Sequence, residues 1–118
     1  MSCRNPWKKR VFPKDCINML YTFYNIDVPG TDLRAKLRPA HREYLAEFAD
    51  RFAFAGPLLG EDGTTPVGSL LVLDFDSAEE AKAFIQAEPY TVAGLYASVS
   101  MLPFVNLWEQ RTGFPAPR

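Results

Sequence analysis

The sequence predicts an α+β domain, in which a four-stranded antiparallel sheet carries two helices on one face, and three observations lead to this prediction. Segments rich in aromatic and β-branched residues alternate with segments of helical period in the order β-α-β-β-α-β. Right-handed connections turn that order into the ferredoxin-like arrangement. The strands are apolar on both sides, although two helices cover only one face of a sheet. We therefore expect a homodimer that packs the two uncovered faces together.

Length and composition favour one globular domain with a flanking segment at each end. The chain has 118 residues, of which 47% are hydrophobic and 14% aromatic, enough for a packed core. No apolar run approaches the ~18 residues of a membrane-spanning helix, and no signal-peptide pattern is visible. We expect a cytoplasmic protein without membrane contact, divided into a basic extension (1–18), the domain (19–108) and a tail (109–118).

The basic extension differs in charge from the rest of the chain. Five Lys and Arg residues against one Asp give residues 1–18 a balance of +4, and the remaining hundred residues balance at −5. The acidic body argues against nucleic-acid binding. An anion-binding arm or a transit peptide fits such an opening, but Pro6 and Pro13 argue against the transit peptide because they interrupt a long amphipathic helix. We favour a peripheral extension or a start codon upstream of Met19.

Cysteine and histidine content argues against a metal centre. Cys3 and Cys16 both lie in the basic extension, and we interpret them as free thiols. Two Cys and one His do not complete a four-ligand zinc site. The chain also has no P-loop, dinucleotide fingerprint or HExxH motif. The sequence therefore predicts no metal and no other cofactor.

Turn-forming residues separate the first strand from the first helix. The segment MLYTFYNI predicts a strand over residues 19–26, and DVPGTD (27–32) is typical of a turn. A short helical turn is expected from Leu33. Proline suits the first turn of a helix rather than its interior, so the main helix is predicted from Pro39 to about Arg51.

One face of this helix is apolar and begins with the only histidine of the chain. His41, Leu45, Phe48 and Phe52 recur at intervals of four, three and four residues. Charged side chains occupy the opposite side of the helix. His41 is therefore expected at the head of the face that packs on the sheet.

The second half of the domain has clear start and stop signals. Gly56-Pro57 ends a strand, SAEE (77–80) is a capping box that opens a helix, and Pro89 stops that helix. The predicted elements are a strand (52–58), a loop (59–66), a strand (67–76), a helix (77 to about 88), a helical turn (89–95) and a strand (96–105).

Chain direction brings polar side chains to one end of this domain. The start of the first helix, the end of the second strand, the start of the third strand and the end of the second helix all lie at the same rim. The residues expected there are His41, Pro57, Ser69, Glu88, Pro89 and Tyr90. A histidine, a carboxylate, a hydroxyl and a phenol at one rim are the components of a small acid–base site.

The catalytic candidates are His41, Glu88 and Ser69. We expect His41 to act as a base that the helix N-terminus keeps neutral, and Glu88 to fix its tautomer and stabilise its charged form. Ser69 is expected to donate to a substrate oxygen, whereas a nucleophilic role is weak because no G-x-S-x-G motif surrounds it. The substrate-binding candidates are Arg38, which would attract an anionic group, Tyr90 and Pro57.

A structural interpretation of the same residues stays open. His41 and Glu88 can form a buried ion pair that closes a helix–helix junction and involves no substrate. A non-catalytic homodimer that binds a small ligand or supports another protein is therefore the alternative function. Haem handling is a third hypothesis, which rests on His41 as its single candidate ligand.

Five segments carry a family resemblance, in the same order and spacing from about Met19 to Trp108. They are MLYTFYNID, RPAHREYL, AGPLL, GSLLVLDFDSAEEAKAF and EPYTVAGLYASVSMLPF. The chain resembles the YCII-related family of small bacterial proteins. The resemblance implies a ferredoxin-like fold that dimerises as in the dimeric α/β barrel superfamily.

The resemblance also implies an active site built on a histidine–aspartate pair. The histidine corresponds to His41, and the aspartate of the family's D-P-Y motif corresponds to Glu88, a departure by one methylene. One branch of the family removes hydrogen chloride from chlorinated hydroxyquinols. The expected function is therefore cofactor-free acid–base chemistry, an elimination or isomerisation, on a small and possibly aromatic substrate.

Overall fold

The computed structural model describes residues 19–109 of the chain. Its elements are β1 (Met19–Asp27), α1 (Leu33–Ala46), a 3-10 helix (Ala49–Arg51), β2 (Phe52–Leu59), β3 (Pro66–Phe75), α2 (Ala78–Ala87), α3 (Pro89–Val92) and β4 (Tyr96–Phe104). The predicted roles of the basic extension and its two cysteines fall outside the described residues, and stay predictions. The predicted domain boundaries, at residues 18/19 and 108/109, also stay predictions.

The four strands form one sheet in the order β2-β3-β1-β4, with antiparallel neighbours throughout. Both central strands, β1 and β3, pair along nearly their whole length, from Met19 opposite Phe75 to Ile26 opposite Gly68. The predicted ferredoxin-like fold is therefore confirmed. None of the helices within residues 19–109 is both long and apolar enough to cross a bilayer.

The core lies between the sheet and the helices and is largely aromatic. Phe84 of α2 is at its centre, with ring centroids 5.4 Å from Phe23 and 4.8 Å from Phe48. Tyr44 and Leu45 of α1 pack against the same cluster. Offset and edge-to-face ring packing of this kind stabilises a core beyond the area it buries. Both longer helices are thereby held on one face of the sheet.

Helix α1 begins earlier than the sequence predicted, and Pro39 lies inside it rather than in its first turn. An interior proline removes one backbone hydrogen bond and costs about 3 kcal/mol. Two contacts hold the earlier start: Thr31 Oγ1 accepts from the Leu33 backbone N–H at 2.8 Å, and the Arg34 side chain binds Asp27. A local contact of Thr31 and the ion pair of Arg34 with Asp27 have together outweighed the preference of proline for the first turn.

The end of the predicted first helix was also wrong. The α-helix stops at Ala46, and a separate 3-10 helix over Ala49–Arg51 leads into β2. Phe48 and Phe52, which the period placed on one helical stripe, nevertheless both pack against the core. The apolar spacing therefore identified the buried side but not the helix boundary. Smaller differences of about one residue affect α2, β3 and β4.

The far face of the sheet exposes large apolar side chains. Register places Tyr24, Phe54, Leu102 and Phe104 on this face, which is directed away from the core. Leu102 is 65% exposed and Tyr24 is 49% exposed. The sequence prediction of strands that are apolar on both sides agrees with this exposure.

A glycine lets the two central strands approach each other closely. A Cβ added at Gly68 would lie only 2.2 Å from the backbone carbonyl oxygen of Asn25, far inside van der Waals contact. The obstacle is backbone rather than a flexible side chain, so it cannot easily move away. Gly68 therefore permits the close approach of β3 to β1 at the position immediately before Ser69.

Candidate active site

Five elements bring polar side chains together at one end of the core. His41 lies on α1, Ser69 on β3, Glu88 at the junction of α2 and α3, Tyr90 on α3, and Tyr96 at the start of β4. Ser69, Glu88 and Tyr90 are buried, and His41 keeps a partly exposed ring. The arrangement is a buried polar cluster rather than a surface patch.

His41 and Glu88 form a hydrogen-bonded pair. The two atoms, His41 Nδ1 and Glu88 Oε1, are 2.9 Å apart, and the side chains are 12% and 0% exposed. A carboxylate accepts only, so Nδ1 carries the proton, and Nε2 is left with its lone pair when the ring is neutral. Nε2 makes no hydrogen bond within residues 19–109. This tautomer leaves Nε2 as the basic nitrogen of the ring.

The phenol of Tyr90 holds the imidazole in plane. Its ring stacks on His41 with centroids 3.9 Å apart and an angle of 11° between the planes. The Tyr90 hydroxyl donates to the backbone carbonyl of Arg34 at 3.1 Å. Burial raises the pKa of Tyr90 although the charges of Arg34 and Arg38 oppose this shift, so Tyr90 stays neutral at physiological pH.

The position of Glu88 follows from its local sequence. Glu88 is the N-cap of α3, and Pro89 occupies the first helical position, where a missing N–H has no cost. Glu88 Oε2 accepts from the Tyr90 backbone N–H, and Oε1 lies 3.2 Å from the Tyr96 hydroxyl as well as bonding His41. A fully buried carboxylate requires partners of this kind.

A second group of residues, which we call the arginine arm, adjoins this pair and consists of Asp27, Arg34 and Ser69. Arg34 Nε and Nη2 bind the two Asp27 oxygens at 2.7 and 2.8 Å, a two-point charge-assisted contact. Arg34 Nη2 also donates to Ser69 Oγ at 3.0 Å. Burial works to lower the pKa of Arg34, but the contact with Asp27 outweighs it and raises that pKa.

Tyr96 connects the arginine arm to the histidine–glutamate pair. Its hydroxyl lies 3.2 Å from Ser69 Oγ and 3.2 Å from Glu88 Oε1, and it has a single proton to share between them. Burial, with a further contribution from the Glu88 charge, raises the pKa of Tyr96. The phenol therefore remains a hydrogen-bond donor throughout the physiological range.

A β-bulge directs Tyr96 into the site. Along β1, Ile26 pairs with Ser98, yet the next residue, Asp27, pairs with Tyr96 instead of Ala97. Because side chains alternate between faces, the extra residue returns Tyr96 to the face that carries the helices. Without the bulge, Tyr96 would point to the far side of the sheet.

The remaining sequence-predicted site residues, Ser69, Arg38 and Pro57, differ in their exposure to solvent. Ser69 is 3% exposed and its hydroxyl is bound by Arg34 and Tyr96, so its expected hydrogen bond to a substrate oxygen stays a prediction. Arg38 is exposed on α1, one turn before His41. Pro57 is exposed opposite Ser69 in the strand register.

The predicted position of His41 at a helix N-terminus was wrong. Because α1 begins at Leu33, His41 is the ninth residue of the helix. The partial positive charge of a helix N-terminus acts within the first turn, so it does not keep this imidazole neutral. The contact with Glu88 and the stacking on Tyr90 determine the environment of the ring instead.

Sequence reasoning missed Asp27, Arg34 and Tyr96. The signal for Arg34 was present, since Arg34, Arg38 and His41 recur at intervals of four and three, but the late helix start placed Arg34 outside the helix. The bulge that directs Tyr96 inward is not visible in the alternation of polar and apolar residues along the predicted strand. Within residues 19–109, no group of three or more His, Cys, Asp or Glu side chains is arranged to hold a metal ion.

Comparisons with known proteins agree on one family. The sequence model of the YCII-related domain family matches residues 19–105 of this chain. Protein YciI of Escherichia coli O6:H1 is 37% identical over 98 residues, which cover 76% of this chain and all of that protein. An uncharacterized protein of Haemophilus influenzae is 31% identical over the same coverage.

A solved structure is similar to this one over most of both chains. It is 5-chloro-2-hydroxyhydroquinone dehydrochlorinase from Burkholderia phenoliruptrix, in complex with 2,5-dihydroxybenzoquinone. The TM-score is 0.69 at 30% sequence identity, and the match covers 74% of this chain and 94% of that one.

Proposed function

The chain belongs to the YCII-related domain family, and we propose that it is an enzyme that moves a proton on a small enolisable or aromatic substrate by means of His41 and Glu88. The observation that carries the proposal is the 2.9 Å contact between His41 Nδ1 and Glu88 Oε1, which leaves Nε2 as the basic nitrogen of a ring that is 12% exposed. The reaction class is elimination or isomerisation.

In this scheme His41 Nε2 accepts a proton from a carbon or a hydroxyl of the substrate. Glu88 stabilises the imidazolium that results, as the carboxylate of a catalytic triad does. In an elimination, the electron pair freed by proton removal expels a leaving group. In an isomerisation, the imidazolium returns its proton to another atom of the same molecule.

Two features beyond the pair support this chemistry. Tyr90 stacks on the imidazole and prevents it from rotating away from Glu88. Arg38, exposed on α1 one turn before His41, supplies a positive charge beside the site that favours the enolate-like charge formed when a proton leaves, whereas the charge of Arg34 is balanced by Asp27. Both features hold the reacting groups in place before substrate arrives, and such preorganisation lowers the barrier.

The dehydrochlorinase that is similar in structure supports the lyase form of the proposal. Its name indicates loss of hydrogen chloride from a chlorinated hydroxyhydroquinone, and 2,5-dihydroxybenzoquinone is bound in its structure. We propose polyhydroxylated aromatic and quinone compounds as the substrate class of this chain. The identity of 30% does not transfer the particular substrate.

We also propose that the protein is a homodimer through the far face of the sheet. Strands β1, β2 and β4 each expose large apolar side chains there, namely Tyr24, Phe54, Leu102 and Phe104. An apolar surface of this kind on a soluble domain marks an interaction site. A second copy of the same sheet is self-complementary by two-fold symmetry.

The experiment that tests the enzymatic proposal replaces the base. His41→Ala should retain the fold and abolish chloride release from 5-chloro-2-hydroxyhydroquinone, while Arg42→Ala, an exposed neighbour on α1, should retain it. A histidine and a carboxylate that bond each other within the protein also suit a ligand-binding or accessory module. Chloride release that persists in His41→Ala, or no binding of any compound of this class, would favour that second function.

A further inference from the structure

One buried polar side chain takes no part in the site described so far. Asn25 of β1 is 0% exposed, and neither its Oδ1 nor its Nδ2 has a hydrogen-bond partner within residues 19–109. A carboxamide that is removed from water without new hydrogen bonds destabilises a fold. A native protein that keeps such a group requires a specific reason for it.

The position of Asn25 links it to the candidate site. It pairs across the strands with Ser69, and its side chain is on the face of β1 that also carries Asp27. Ser69 Oγ in turn bonds Arg34 and Tyr96. The carboxamide is therefore the sheet neighbour of the polar network but does not belong to it.

The helices cover this part of the sheet incompletely. Val99, the partner of Asn25 on β4, lies on the same face and is 39% exposed. On the other side, Pro57 is paired with Ser69 and is exposed as well. The Asn25–Ser69 pair therefore forms a narrow floor between two open flanks of the sheet.

We propose that the Asn25 carboxamide is a ligand-binding group at the floor of this site. A carboxamide presents a donor and an acceptor side by side, so it fits a hydroxyl that is adjacent to a carbonyl or to a second hydroxyl. Since Asn25 is covered, binding includes a side-chain displacement on the β4 side, where Val99 leaves the sheet exposed. The inference rests on the proposed function and adds the feature of the substrate that the site recognises.

The test compares Asn25→Leu, which is similar in size, with a matched control. Thr91 Oγ1 on α3 is also buried without a partner, so Thr91→Val removes an unpaired polar atom elsewhere. Both variants should be at least as stable as the wild type in thermal unfolding. Binding of 2,5-dihydroxybenzoquinone should weaken about tenfold or more in Asn25→Leu, the factor for one lost hydrogen bond, and stay unchanged in Thr91→Val.

His41→Ala, measured in parallel, separates this inference from the proposed function. Equal affinity in Asn25→Leu and wild type, with loss in His41→Ala, overturns the role of Asn25 and leaves the proposed function intact. Loss in Asn25→Leu alone supports Asn25 and contradicts the role of His41 in binding. If the wild type does not bind the probe, the inference fails together with the proposed substrate class. An Asn25→Leu variant that is less stable than the wild type also overturns the inference, because the carboxamide is then satisfied internally.

Discussion

Replacement of Glu88 by Gln tests the geometry of the site most directly, because it removes the charge and keeps the shape. A carboxamide has one acceptor oxygen, whereas the Glu88 carboxylate accepts from His41 Nδ1 on one oxygen and from the Tyr90 backbone N–H on the other. If the amide oxygen caps Tyr90, the amide nitrogen faces His41 and donates to Nδ1. The ring proton then moves to Nε2, and the base is lost.

The magnitude of this effect follows from the contacts that change. A hydrogen bond to a charged group contributes about 1.5–3 kcal/mol and a neutral one about 0.5–1.5 kcal/mol, so Glu88→Gln should destabilise the protein by about 1–2 kcal/mol. In a serine-protease triad, the corresponding amide substitution stabilises the wrong tautomer and lowers the rate about 10⁴-fold. We expect a loss of at least about 100-fold in any turnover by this protein.

The assay benefits from the presence of a single histidine in the chain. Long-range proton–nitrogen NMR correlation of the imidazole reports directly which nitrogen carries the proton, without ambiguity of assignment. The wild type should show the proton on Nδ1 when the ring is neutral, and Glu88→Gln should show it on Nε2. Glu43→Gln, an exposed change on α1, is the matched control. A variant that keeps the wild-type tautomer would refute the reasoning.

Three further predictions concern stability and assembly. The folded state holds the proton of the Tyr96 phenol more tightly than the unfolded state does, so the protonated phenol contributes to the free energy of unfolding. This contribution is complete below about pH 10. It is lost as the pH rises further, by up to about 1.4 kcal/mol per pH unit. Tyr96→Phe should therefore show a shallower alkaline loss in chemical denaturation, and an unchanged slope would contradict the burial of the phenol. Gly68→Ala should destabilise by about 1–3 kcal/mol or more because its Cβ meets a backbone oxygen, whereas Gly56→Ala, whose Cβ meets nothing within 4 Å, should change little; equal effects would disprove the close approach. Leu102→Asp should convert the proposed dimer to a monomer in sedimentation velocity, and an unaffected dimer would exclude the far face as the interface.

The sequence predicted the fold correctly because the fold depends on patterns that span whole elements. Strand alternation, the capping box at Ser77 and the order of the elements each follow from period and turn chemistry. The start of α1 was mispredicted because a tertiary contact, Arg34 with Asp27, outweighs the local preference of Pro39. Local rules do not contain that contact.

The site was only partly predictable for the same reason. Strand and helix direction brought His41 and Glu88 to one end of the domain, where the structure has them in contact. The role of Glu88 as the N-cap of α3 was readable in principle from Glu88-Pro89, yet the hydrogen bonds from Tyr96 depend on a change in strand register that leaves no sequence signal.

The unpaired residue Ala97 has a practical consequence for anyone who edits this chain. Deletion of that one residue would restore an unbroken ladder between β1 and β4, and would be expected to look harmless in a stability assay. It would leave Tyr96 opposite Asp27, on the helix side of the sheet, whereas a regular ladder that kept Ala97 would pair Ala97 with Asp27 and turn the Tyr96 phenol to the far face, where Glu88 and Ser69 would lose it as a shared neighbour. A graft of this site onto another scaffold must therefore either copy the bulge or leave out Ala97, so that Tyr96 still lies opposite Asp27.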